Sequence, residues 1–177
     1  MPLTRYVAFL RAINVGGHVV KMDRLRALCE SIPLTNVSTF IASGNVLFDS
    51  KKPAAQAEAA IEKALKAALG YDVATMVRSG ADLRNIVTRV NEEGLDEDAR
   101  LYVGFLKETP RASVVTAVTA MSNAVDLLSI EGTELYWRCR SSWSESTVAG
   151  PRLEKALGMP VTVRNYNTVR KLAAKLS

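Results

Sequence analysis

A chain of 177 residues, 48% hydrophobic and 23% charged, has the composition of one globular domain or two small ones, not of a disordered segment. A net charge of +5 is a modest excess that solubility alone accounts for, and it favours anionic partners only weakly. No stretch approaches the ~20 apolar residues that span a bilayer, no signal-peptide pattern opens the chain, and two cysteines make no disulfide framework, so a cytoplasmic protein without membrane contact is expected.

In chain order, residues 5–11 alternate and are rich in β-formers, which predicts a strand. Residues 22–32 place Met22, Leu25, Cys29 and Ile32 on one helical face, with Pro33 beyond its end. Two short strands, 37–42 and 46–49, flank Ser43-Gly44-Asn45, a tight hairpin signal. An alanine-rich helix over 53–69 starts at a proline, ends before Gly70 and packs through Ile61, Leu65, Ala68 and Leu69. A strand over 73–78 and a helix over 81–90 complete a βαββαβ unit, the split ferredoxin-like pattern, with one added helix.

Residues 91–99 (NEEGLDEDA) hold five acidic residues and no basic one, and read as a linker. Beyond it the same order returns: strand 101–107, helix 110–121, a hairpin of 125–130 and 134–139 around Glu131-Gly132-Thr133, helix 150–157, strand 161–164 and helix 167–176. Local sequence repeats too. RYVAFL at 5–10 returns as RLYVGFL at 100–106, IEKAL at 61–65 as LEKAL at 153–157, and Arg78 precedes Arg84 by six positions as Arg164 precedes Arg170. The expected class is α+β, with two ferredoxin-like βαββαβ units from an internal duplication: residues 1–90, the acidic linker 91–99, and residues 100–177.

Three segments carry more turn and polar residues than folding needs. In 11–21 (RAINVGGHVVK), Gly16 and Gly17 would let the backbone approach a ligand, the following helix would offer N–H groups to an anion, and Arg11, His18 and Lys21 could add charge. The alternative is a plain turn, with Asn14 tied to its own backbone. The second unit lacks these glycines at 107–111 (KETPR). In 41–46 (IASGNV), Ser43 and Asn45 suit a hairpin, and would serve a ligand only beside another polar segment. In 161–172 (VTVRNYNTVRKL), Asn165 or Asn167 would cap the last helix, while Arg164 and the cap amides could hold a phosphate or carboxylate. Trp137, Arg138, Arg140 and Trp143 interleave aromatics with arginine as base-stacking surfaces do, against the competing reading of a core tryptophan followed by a loop. With one histidine and no CxxC, a protein-built zinc site has little support, and Cys29 and Cys139 read as small buried hydrophobes.

On residues 10–17 (LRAINVGG), 40–45 (FIASGN) and 162–169 (TVRNYNTV), the chain resembles the bacterial family catalogued as domain of unknown function 1697. The resemblance covers nearly the whole chain and implies two α+β units of ferredoxin-like character. It supplies no reaction, cofactor or catalytic residue. This chain departs from the family's pattern where Ala12 replaces a usual glycine, where Val19 and Val20 follow His18, and at 142–145, where many members carry Arg-Ser-Lys-Leu.

The expected function is binding of an anionic, phosphate-bearing small molecule or nucleotide between the two units. Arg11, Asn14, Gly16, Gly17 and Lys21 would take the anion, Ser43 and Asn45 would orient it, and Arg164, Asn165 and Asn167 would complete the pocket. Two alternatives stand beside it: a nucleic-acid-binding module, since βαββαβ is also the RNA-recognition topology although no RNP1-like pattern is present, and a structural module that dimerises through a strand edge. No nucleophile–base pair is recognisable, so no reaction and no cofactor is assigned.

Overall fold

Strand β1 (Thr4–Leu10) alternates because both of its faces are used. Tyr6, Ala8 and Leu10 join a helix-covered core, and Val7 and Phe9 on the opposite face are fully buried as well. The computed structural model describes residues 2–14, 16–41, 44–95 and 97–177, the side chain of Trp143 excepted. By its internal contacts the chain forms two units, Met1–Asn85 with Leu172–Ser177, and Ile86–Lys171.

The first unit runs β1, α1 (Met22–Glu30), β2 (Thr35–Thr39), β3 (Asn45–Ser50), α2 (Ala54–Leu69), β4 (Thr75–Ser79) and the start of α3 (Gly80–Glu93). Its antiparallel sheet has the order β2-β3-β1-β4. Leu25 and Cys29 of α1, one helical turn apart, and Ala57, Ile61 and Leu65 of α2 cover one face of it. Burying each of the larger side chains contributes about 1.5–3 kcal/mol. Helix α2 ends at Gly70, left-handed at φ 83°, whose N–H donates to the Lys66 carbonyl.

The second unit repeats the plan with β5 (Arg100–Leu106), α4 (Ala112–Thr119), β6 (Asp126–Glu131), β7 (Glu134–Cys139), α5 (Pro151–Leu157), β8 (Val161–Asn165) and the start of α6 (Tyr166–Lys175). Its sheet order, β6-β7-β5-β8, is the first unit's order moved four strands along. Register agrees residue by residue. Tyr6 faces Ser79 and Val7 faces Arg78 in one sheet, and Tyr102 faces Asn165 and Val103 faces Arg164 in the other. The fold is therefore α+β, two βαββαβ units of ferredoxin-like order. Among the described residues no helix is long and apolar enough to cross a membrane.

The repeated IEKAL and LEKAL now have a physical reason. Ile61 and Leu153 are core residues. The glutamates beside them, Glu62 and Glu154, accept hydrogen bonds from the backbone N–H groups of Thr75 (2.8 Å) and Val161 (3.1 Å). Glu58 does the same for Val77 at 3.0 Å. Both β4 and β8 are edge strands, so helix carboxylates satisfy amides that no neighbouring strand reaches.

Element boundaries differ from the sequence expectation in two informative places. β2 stops at Thr39 instead of running to 42, because Phe40 turns and Ile41 takes a left-handed φ of 59°. Helix α3 runs on to Glu93, into the acidic segment. There Arg89 lies over the Tyr136 ring, 4.6 Å from its centroid, and ion-pairs with Glu93 and Glu131, while Arg138 also holds Glu93 at 3.0 Å.

Candidate functional site

The backbone leaving β1 is clamped on both sides. Leu10 N–H donates to the Gly44 carbonyl (2.9 Å) and Arg11 N–H to the Ala74 carbonyl (2.8 Å). Ile13 drops into the core, and the Asn14 side-chain oxygen accepts the Val20 N–H at 2.6 Å. Asn14 thus closes the loop on itself, as its turn reading expected. Gly16 and Gly17, at φ 69° and 85°, stand in the open, with nothing within 4 Å of where a Cβ would be. His18 stacks on Tyr71 with ring centroids 3.9 Å apart. Lys21 is the N-cap residue of α1, its side chain exposed and making no capping bond.

The hairpin glycine sits directly on this loop. A Cβ on Gly44 would stand 2.9 Å from Ile13 Cγ2 and 3.2 Å from Leu10 Cβ. The polar hairpin and the glycine loop, separate in sequence, are therefore neighbours in the first unit. Asn45 is fully buried: it pairs with Phe9 across the strands, and its amide donates to the Phe40 carbonyl at 2.9 Å. It closes the hairpin. Ser43 lies outside the described residues, as does Val15 of the glycine loop.

Backbone strain concentrates at this junction. Among the described residues three other than glycine have positive φ: Ala12 (52°), Asn36 (49°) and Ile41 (59°). Asn36 sits where the β2–β3 register shifts, and asparagine tolerates that conformation. Ala12 and Ile41 have no such excuse, and Ile41 is β-branched and 52% exposed. The φ of Ala12 is one that the glycine expected here from the family resemblance would adopt without strain. Replacing exposed Ala12 with glycine relieves ~1–2 kcal/mol of left-handed strain and loses ~0.5–1 kcal/mol to chain entropy. Ala12→Gly is therefore expected to raise the melting temperature by about 2 °C, readable by calorimetry.

The remaining predicted site residues belong to the second unit. Arg164 is buried: its Nη1 donates to Thr162 Oγ1 (2.8 Å) and to the Val163 carbonyl (3.0 Å). Burial pulls its pKa down to about 10, still protonated at neutral pH. Its counterpart Arg78 is equally buried and donates to the Val77 carbonyl at 3.0 Å. The pair repeats as scaffold does. Asn165 Oδ1 accepts the Asn167 N–H at 2.8 Å and so caps α6, while the Asn167 side chain is exposed. Trp137 is a core residue whose indole N–H donates to buried Asp126 at 2.8 Å, so it offers no face for base stacking.

Sequence reasoning passed over Tyr71 and Tyr166. Both phenol oxygens are buried without a hydrogen-bond partner among the described residues. Each reads in sequence as one more apolar-periodic aromatic, and nothing local signals that its hydroxyl is left over.

Two α+β units of ferredoxin-like order, one carrying a strained glycine loop, define the class of protein. The family follows from comparison: the chain matches the pattern described as Protein of unknown function (DUF1697) over residues 3–136, well over half its length, and it belongs to that family. The matched range contains the loop and hairpin motifs and stops short of 162–169. Among solved structures, the conserved bacterial protein SP0830 from Streptococcus pneumoniae is similar, with a TM-score of 0.76 and 24% identity over 99% of this chain and 100% of that one. At that identity the likeness speaks for the fold. No curated protein matches.

Proposed function

We propose that this protein binds a small phosphate-bearing anion through the glycine loop of its first unit. The observation that carries the reading is the junction of loop and hairpin, where Gly44 meets Ile13 and Leu10 and where Ala12 and Ile41, close to it in sequence, hold left-handed conformations. Strain of this kind costs on the order of 1–3 kcal/mol per residue and gathers where a ligand is held. The backbone N–H groups of Gly16 and Gly17, whose Cβ positions face open space, the α1 N-terminus and the side chains of Lys21 and Arg11 would supply the donors and charge an oxyanion needs. Asn14 and Asn45 hold the two loops in shape and act as positioning residues. The cytoplasm suits such a protein, since Cys29 and Cys139 are free thiols buried in separate cores.

A thermal-shift screen of nucleotides, sugar phosphates and short oligonucleotides tests the reading. A true ligand at ~100 times its dissociation constant adds about 2.7 kcal/mol of apparent stability. That shift should shrink sharply in Lys21→Ala and Gly17→Val. If both variants keep the full shift of the wild-type protein, the first unit's loop is not the site. A response only to oligonucleotides, falling steeply with salt, would favour nucleic-acid binding instead.

A further inference from the structure

The loop that carries Gly16 and Gly17 also carries one half of an aromatic pair. The His18 ring lies against Tyr71, with centroids 3.9 Å apart and planes inclined by 26°. Aromatic pairs usually keep their centroids ~4.5–7 Å apart, so this is close face-to-face contact. His18 is exposed, while Tyr71 is half-buried and packs on the core of the first unit. One face of the imidazole is thus backed by a ring anchored in the core, and the ring surface left to solvent is the other face and the edge.

The duplication shows that the scaffold does not require this pair. Helices α2 and α5 both end at a left-handed glycine, Gly70 at φ 83° and Gly158 at φ 67°. The next residue is Tyr71 in the first unit and Met159 in the second, and each packs on its own core. A flexible methionine therefore fills the place well enough for packing alone. Between β5 and α4, residues 107–111 (KETPR) offer neither histidine nor aromatic ring. The stacked pair and the paired glycines occur together, in the same unit and on the same loop.

Building on the anion site proposed for this loop, we infer that the His18 ring is its base platform and that the ligand is a nucleoside monophosphate. Successive Cα atoms stand ~3.8 Å apart, so His18 is one residue's step from Gly17. A phosphate on the glycine N–H groups and a base on the imidazole lie within the reach of a single nucleotide. The base takes the ring face that Tyr71 leaves open and extends the stack outward. Such stacking is tolerant of base identity, because every base has a flat π-face. A sugar phosphate without a base gains nothing from it.

AMP, ribose 5-phosphate and a short single-stranded RNA are the probes, titrated by calorimetry into the full-length protein and into His18→Ala, His18→Phe and Lys21→Ala. AMP should bind about 10-fold more tightly than ribose 5-phosphate, the size expected of one base on one aromatic ring. His18→Ala should bring the two affinities together, while His18→Phe, which keeps a flat ring, should retain the preference. Lys21→Ala should weaken both ligands alike, since it acts on the phosphate they share. If His18 only held the loop in shape, its loss would also weaken both alike, so an unchanged preference in His18→Ala overturns the inference. A preference lost equally in His18→Phe overturns it as well, because stacking would not be its cause. Equal affinity of the wild-type protein for AMP and ribose 5-phosphate overturns the base platform and leaves the anion site standing. No binding of either at millimolar concentration removes both together. An RNA bound far more tightly than AMP, with affinity falling steeply with salt, overturns the mononucleotide as ligand.

Discussion

Deleting Leu172–Ser177 is expected to unfold the first unit, although all six residues follow the second unit in sequence. They belong with Met1–Asn85, and Leu172, Ala173 and Leu176 are buried. The fit is close: a Cβ on Gly80 would stand 2.6 Å from the Leu176 carbonyl oxygen, so the start of α3 and the end of α6 meet where only glycine leaves room. Losing a buried leucine costs about 2–5 kcal/mol, and losing two approaches the ~5–15 kcal/mol by which a typical domain is stable. Urea denaturation followed by circular dichroism should show the truncated chain losing its first-unit transition. Leu176→Ala should shift the midpoint by a smaller amount in the same direction. A truncated protein with the full-length midpoint and slope would refute the assignment of these residues to the first unit.

The second large effect is expected at Gly44. Gly44→Ala forces a side chain into a residue at φ 77° and drives its Cβ against Ile13 and Leu10. Left-handed strain of ~1–2 kcal/mol and overpacking of ~1–3 kcal/mol together give about 2–5 kcal/mol of destabilisation. Gly17→Ala is the matched control: its φ is 85°, but its surroundings are empty, so only the conformational cost of ~1–2 kcal/mol applies. Chemical denaturation of the two variants side by side checks the difference. Equal losses would mean that the hairpin does not rest on the glycine loop.

Much of this architecture was legible in the residues. Alternation in 5–11, the 61-to-65 spacing of Ile61 and Leu65, and the glycines at 70 and 158 give element order, because each reports a local preference that the fold keeps. The IEKAL and LEKAL repeat signalled duplication but not its reason, since the partners of Glu62 and Glu154 lie on strands met only after folding. Ile41 misled. A β-branched residue next to β2 argues for strand, and only the packing of Gly44 against Ile13 shows why the chain must turn there. Asn14 and Asn45 were singled out for a ligand, and both have structural tasks visible in their hydrogen bonds. Tyr166 had no sequence signal, because an unpaired hydroxyl is a property of its surroundings.

The division of α6 bears on how the chain acquires its structure during synthesis. Everything the first unit needs up to Asn85 leaves the ribosome early, but Leu172–Ser177 come more than eighty residues later. Until then the site beside Gly80 stays uncovered, and a nascent chain cannot complete its first unit before its second has been made. Folding is therefore tied to contacts of long sequence separation, which form slowly and leave apolar surface exposed in the interval. The first unit therefore reaches its full stability only once the second has been made, and ribosome stalling anywhere in the second half should leave the first half vulnerable to proteolysis as well.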